Sequence, residues 1–349
     1  MTKPSLRDLL ALYHRDRGGS IAETTAGVRE MSAMFNGLAP HRPGYLAAGR
    51  LRRAYVHYYL PVNAEKFARV LLERDRYAPP SRPLRVLDFG CGPGTAAVAW
   101  LLGGRPTASV TLVDVVSEAL DDARYLCEAL GTKARTAHEV PRGERFDLIL
   151  AGNVYAETEP RLEDHLEPDG HLVVVEPALK ATTRRLMAWR DRKVAEGWTV
   201  AAPCVGAAAC PMLAREDLWC HMDVGWPRPA QVAEVDRRVG LSKESLKYAY
   251  AVLTKTGGTL AVPTAERWRV VSNLHREKGK AWAWACGPAG PLCRAEVLSR
   301  HRGPDTIDFF RADRGDVLEM HAEGEAFRSA GPIRRTDRPD SLLKPPDPL

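Results

Sequence analysis

Four cysteines in the second half of the chain could act together: Cys204, Cys210, Cys220 and Cys286. The first three lie in Cys204-Val-Gly-Ala-Ala-Ala-Cys210-Pro211 and Leu218-Trp219-Cys220-His221, the fourth in Ala285-Cys286-Gly287. Seven cysteines in all, behind a first segment (Met1-Thr2-Lys3-Pro4-Ser5) without an apolar leader, predict a reducing compartment. There, thiols and metal ligands are more common than disulfides. Structural zinc sites favour two short paired-cysteine knuckles. Here the intervening residues number five, nine and sixty-five. Such wide spacing suits an iron–sulfur cluster, whose larger body needs spread ligands; zinc is the second choice. Cys293 is a spare for the fourth ligand, and His221 a weaker one. Four protein thiolates would leave no open iron, so radical chemistry is not expected.

Upstream runs Leu87-Asp88-Phe89-Gly90-Cys91-Gly92-Pro93-Gly94, placed between a strand pattern and a helix pattern. Its glycines permit a tight turn and close approach of the backbone to a ligand. The order acid-x-G-x-G-x-G resembles the first motif of class I S-adenosylmethionine methyltransferases. On that reading Asp88, Gly90, Gly92 and Gly94 shape the donor site. Asp114, ending the next strand, would accept hydrogen bonds from the ribose hydroxyls. Cys91 reads as a bystander and Cys127 as core. Asn153, in Gly152-Asn153-Val154-Tyr155-Ala156-Glu157, stands where enzymes acting on exocyclic amines carry Asp/Asn-Pro-Pro-Tyr; the two prolines are absent. Pro203-Cys204 resembles the signature of cytosine-5 enzymes, but Cys204 is better used as a ligand.

The elements that must hold these residues divide the chain in four. Residues 1–80 read as a helical region, with Ser5 and Asp8 as a capping box and a later helical stretch from Pro43 broken at Pro61. Residues 81–202 alternate strand and helix: Arg85–Phe89, a helix from Thr95, Val110–Asp114, Phe146–Ala151, His171–Glu176. This predicts a Rossmann-like α/β fold with a parallel sheet. Residues 203–330 hold the cysteine insertion and strands (Leu246–Thr254, Arg267–Ser272, Ala281–Cys286) expected to complete the sheet. Residues 331–349 read as a disordered tail. No apolar run is long enough to span a membrane. Net charge is 50 − 44 = +6. Residues 1–80 carry 13 Lys/Arg against 7 Asp/Glu, which is the whole excess. With the basic helix around Arg184, Arg185, Arg190 and Arg192, this region, including Arg52 and Arg53, is expected to face RNA phosphates.

Together these residues resemble the methyltransferase-like proteins of the mitochondrial small ribosomal subunit and their bacterial relatives. The resemblance covers most of residues 40–320. It rests on Tyr55-Val56-His57-Tyr58-Tyr59-Leu60-Pro61, the glycine loop, Val173-Val174-Val175-Glu176-Pro177, Cys210-Pro211, Trp219-Cys220-His221, Lys243-Glu244 before Tyr248, and Cys286 followed by Gly290. It implies a class I methyltransferase fold with a 4Fe-4S cluster on Cys204, Cys210, Cys220 and Cys286. It also implies work on the small ribosomal subunit and its RNA, in assembly or translation, with little or no methyl transfer. A cytoplasmic bacterial member, monomeric off the ribosome, is expected. An active RNA methyltransferase is the first alternative; a small-molecule methyltransferase with a structural metal is the second.

Overall fold

The computed structural model describes residues 4–40, 42–155, 158–206, 208–255, 267–288, 292–320, 326–328 and 332–337. Helices α1 (Leu6–Arg17), α2 (Ile21–Phe35), α3 (Gly49–Ala54) and α4 (Leu60–Tyr77) come first. Ser5 and Asp8 do form the capping box of α1. Leu6, Leu9 and Tyr13 then make its buried stripe. Pro61 does not break the helical stretch as expected. The chain stays helical through it, and the proline follows closely on a π turn over Tyr55–Tyr59, where the helical ladder has already shifted by one residue.

Next come β1 (Leu84–Phe89), α5 (Thr95–Leu102), β2 (Thr107–Val113), α6 (Ser117–Ala129), β3 (Arg135–Ala137), β4 (Phe146–Gly152) and β5 (Leu166–Pro177). Then follow α7 (Lys180–Ala195), β6 (Thr199–Ala202), β7 (Met222–Gly225), α8 (Ala230–Val239) and β8 (Ser245–Thr254). These strands form one sheet in the order β3-β2-β1-β4-β5-β8-β6, with β7 also on β8. From β3 to β5 every pairing is parallel, and β8 is antiparallel to β5 and to β6. Central strands such as Phe146-Asp-Leu-Ile-Leu-Ala151 are buried throughout, as continuous apolar runs covered by helices on both faces must be. This is the sheet of the class I methyltransferase fold. Among the described residues no helix is long and apolar enough to cross a membrane.

The later strands depart from expectation. β9 (Arg267–Val270), β10 (His275–Glu277), β11 (Lys280–Cys286), β12 (Leu292–Leu298), β13 (Val317–Glu319), β14 (Ala326–Arg328) and β15 (Arg334–Asp337) do not join the first sheet. They build a second, with its own core around Trp268, Ala283, Ala295, Val297 and Phe309. Alternation in β11 explains this: Ala281, Ala283 and Ala285 point inward, while Trp282 and Trp284 point to the other face. A buried Glu73 on α4 pairs with Arg269 of β9 and accepts from Tyr250 of β8, joining the two sheets. In the expected tail, 334–337 pairs with β13, and 338–349 lies outside the described residues.

Candidate functional site: donor loop and cysteine cavity

β1 delivers the chain to the glycine loop, and three of its residues take a conformation that side chains resist. Gly90, Gly92 and Gly94 have φ of 63°, 51° and 80°, the left-handed region open to glycine. A Cβ on Gly90 would lie 2.5 Å from Val154 Cγ2, and one on Gly94 3.0 Å from Ala123 Cβ of α6. The loop is therefore pressed between the turn after β4 and helix α6.

The two acids have separate partners. Asp88 is buried, and its carboxylate accepts from the Ala97 N–H in the first turn of α5 at 2.8 Å. It fixes the helix to the strand end. Asp114 accepts from Gly92 N–H at 2.8 Å and Val116 N–H at 2.9 Å, which leaves lone pairs on both oxygens for further donors. Over the loop lies Leu46, whose Cδ1 is 3.4 Å from the Cβ position of Gly92. Arg52 holds this cover in place: it donates to Leu46 and Ala47 carbonyls at 2.8 and 3.1 Å and pairs with Asp122 of α6 at 2.6 Å.

Asp88 makes the site pH-sensitive. Burial drives its carboxyl up to about 7, against the pull of the Ala97 N–H and with help from the Asp114 charge. An unfolded aspartate titrates near ~3.9. The folded chain thus holds this proton longer, and stability falls as pH rises from about 4 to about 7. Asp88→Asn should gain on the wild type across that window and no further above it. Denaturant unfolding at several pH values measures this; a difference independent of pH would refute it.

The acceptor turn is ordered without the two prolines. Asn153 has φ 60° and donates its N–H to Val175 O at 2.9 Å. The buried Glu176 of β5 accepts from Tyr155 N–H at 2.8 Å. An acid at the end of β5 thus does the work expected of proline. Its signal, Glu176-Pro177 after three valines, was visible in the sequence. Ala156 and Glu157 lie outside the described residues.

On the other side of α7, Cys204, Cys210, Cys220 and Cys286 line one cavity of about 30 Å³, together with Met187, Arg190, Met212 and Arg269. By the same measure a single water needs roughly 10–15 Å³. Burial and the neighbouring thiols raise Cys210 to about 11 and Cys286 to about 12, and lift Cys220 well above its ordinary value. Among the described residues no three Cys, His, Asp or Glu side chains converge closely enough to hold one metal ion. Neither Cys293 nor His221 lines the cavity. Cys293 points into the core of the second sheet, and His221 stacks on Trp219 and contacts Arg314. Gly206 lets the cysteine loop touch the end of β11, since a Cβ there would lie 1.9 Å from Pro288 O. Cys91 and Cys127 are buried in the main core.

The arginines expected to face RNA are largely occupied within the protein. Arg53 pairs with Glu23, and Arg42 and Arg50 share Glu30. Arg190 is buried, donating to Gly206 O at 3.0 Å and Ala208 O at 2.6 Å. Arg192 pairs with Glu159 at 2.5 Å; Arg185 is exposed. Arg184 donates to the carbonyls of Met212, Leu213, Arg215 and Leu218 at 2.8–3.0 Å. Its planar fork gathers a loop whose one element is a short 3-10 turn, Pro211–Ala214. Arg184→Ala should free that loop, and limited trypsin digestion should cut after the exposed Arg215 several-fold faster. Equal cleavage rates would show that the loop holds without it.

The model of the family described as Mitochondrial small ribosomal subunit Rsm22 matches residues 51–337. The chain belongs to this family. The Rsm22 match takes in the glycine loop, the acceptor turn and all four cavity cysteines. A release factor glutamine methyltransferase of Enterococcus faecalis is 35% identical over 89 residues, 24% of this chain and 32% of that protein. The chain thus spans about a third of the length of that curated relative. Among solved structures, the ribosomal protein L11 methylase of Lactobacillus delbrueckii subsp. bulgaricus is similar at TM-score 0.34 and 18% identity, over 55% of this chain and 78% of that one. The plantazolicin methyltransferase BpumL is similar at TM-score 0.36 and 13% identity, over 67% and 97%. The strand order, not likeness at this level, identifies the fold.

Proposed function

We propose that this protein is an assembly or translation factor of the small ribosomal subunit, built on an S-adenosylmethionine methyltransferase scaffold. It binds ribosomal RNA, and it is a cytoplasmic monomer when off the ribosome. The observation that carries this reading is the family match across residues 51–337. S-adenosylmethionine is the ligand of the glycine loop, with Gly90, Gly92 and Gly94 giving backbone access and Asp114 offering lone pairs to the ribose. Asp88 secures the loop from behind, and Asn153 lies at the acceptor side. The supporting geometry is three left-handed glycines and an Asp114 carboxylate already aligned by Gly92 N–H.

A 4Fe-4S cluster is held by Cys204, Cys210, Cys220 and Cys286. The donor set fits it: four thiols, no carboxylate, a largely apolar lining, and a buried Arg190 whose Nε has no hydrogen-bond partner among the described residues. When bound, the cluster supplies a rigid body between the cysteine loop and β11. Co-sedimentation of the purified protein with small ribosomal subunits tests the ribosomal reading; recovery only in the unbound fraction at low salt would overturn it. The second reading, an active RNA methyltransferase, is favoured by the ordered Asn153–Tyr155 turn. It requires that ribosomal RNA from a deletion strain lack a methyl group that the purified protein restores.

A further inference from the structure

Two buried arginines, Arg190 of α7 and Arg269 of β9 in the second sheet, line the thiol cavity, and each keeps one donor unspent. They are 1% and 4% exposed. The outer nitrogens of each guanidinium are held. Arg190 Nη1 donates to Asp191 Oδ1 at 2.5 Å and to Ala208 O at 2.6 Å, and its Nη2 donates to Gly206 O at 3.0 Å. Asp191 accepts in turn from the Cys210 N–H at 2.9 Å through its other oxygen. Arg269 Nη1 donates to Gly315 O at 2.7 Å, and its Nη2 pairs with Glu73. In both residues the inner Nε–H is buried and has no hydrogen-bond partner among the described residues.

Leaving a buried donor of a charged group unpaired is costly, so a partner is called for. Other buried arginines also carry an unpartnered Nε, but among the described residues these two alone line the cavity of Cys204, Cys210, Cys220 and Cys286. No carboxylate lines it, and the side-chain acceptors it offers are the sulfurs of cysteine and methionine. Cys286 feels both arginines: burial and the thiols of Cys204 and Cys210 raise it, while the Arg190 and Arg269 charges pull it down. Two fixed forks thus stand at one cavity, each with a single N–H to give.

We propose that Arg190 and Arg269 each donate their Nε–H to a sulfur of the bound cluster and together raise its reduction potential. The proposal rests on the reading of the cavity as a 4Fe-4S site. Hydrogen bonds to the sulfurs and local charge set the potentials of such clusters. The reduced cluster carries one more negative charge than the oxidised one, so charged donors hold it more strongly. The two donors also report to different places. Arg190 is tied to the cysteine loop at Gly206 and Ala208, and Arg269 through Glu73 to Tyr250 where the two sheets join.

The test uses the full-length protein, purified without oxygen from cells fed isotope-labelled arginine and reduced with dithionite. Pulsed electron paramagnetic resonance should show label-dependent nitrogen couplings from two arginines to the cluster's spin. Arg190→Lys and Arg269→Lys keep the positive charge, and each should remove one coupling. Each should also lower the ratio of reduced to oxidised cluster at a fixed potential about tenfold, equivalent to about 59 mV for one electron. A merely structural role would change stability and leave both readouts where they were. A reduced wild type without arginine couplings overturns the proposal, even where a variant fails to keep its cluster. Couplings and potentials unchanged in both variants overturn it as well. An iron-free, colourless wild type is a separate failure: it overturns the cluster reading itself, and these two donors fall with it.

Discussion

Gly92→Arg should abolish S-adenosylmethionine binding while the protein still folds. Gly92 has φ 51° and sits under Leu46, with a Cβ position already 3.4 Å from the leucine. An arginine side chain there must fill the space between the cover and the loop. The left-handed conformation adds a cost of about 1–2 kcal/mol, small enough for the fold to survive. Asp114→Ala should weaken binding without abolishing it. It removes the ribose acceptor and also leaves the N–H groups of Gly92 and Val116 unpaired. One hydrogen bond to a charged group contributes roughly 1.5–3 kcal/mol, so the expected loss is about tenfold to a hundredfold in affinity. Isothermal calorimetry on wild type and both variants measures this. Wild-type affinity in Gly92→Arg would mean that the donor binds elsewhere.

If the cavity holds the proposed 4Fe-4S cluster, Cys220→Ser should yield a protein without iron. Purified without oxygen, the wild type should be brown and hold about four irons per chain, the count of a 4Fe-4S cluster. Cys220 is buried, its thiol is raised by burial and then by Cys210, Cys204 and Cys286, and it shares the cavity with all three. Serine there should leave little or no iron. Cys293→Ser is the control: that thiol faces the second core, and iron content should stay unchanged. Iron and acid-labile sulfide assays give both numbers. Colourless wild type with one zinc, or iron lost equally in Cys293→Ser, would refute the assignment of ligands.

Much of the glycine loop's geometry was legible because glycine and β-strand patterns report backbone geometry directly. Gly90, Gly92 and Gly94 needed positive φ, and the sequence spacing said so. The parallel strands announced themselves as unbroken apolar runs. The four cysteines were legible by chemistry alone, since spacing says which residues can ligate and not whether they meet. Arg52, Arg184 and Arg190 were misread, since they are spent inside the protein. Composition counts charge but not partners, and Arg184 and Arg52 satisfy backbone carbonyls across 28 and 6 residues of sequence. The second sheet was missed although its signal was present. Lys280-Ala-Trp-Ala-Trp-Ala-Cys286 alternates small and large side chains, which marks a strand of unequal faces and not a fully buried one.

The four cavity thiols come from two sheets, and that has a topological consequence. Cys204, Cys210 and Cys220 follow β6 of the first sheet, while Cys286 ends β11 of the second. Any body bound by all of them is a cross-link. It closes a circuit of sixty-five intervening residues between Cys220 and Cys286, containing β7, α8, β8, β9, β10 and all of β11 but its last residue. By analogy with a disulfide, closing a loop of this length removes about 4 kcal/mol of entropy from the unfolded chain. Occupancy of the cavity then sets whether the two sheets unfold as one cooperative unit or come apart in sequence, and the melting profile becomes a record of how fully the site is loaded.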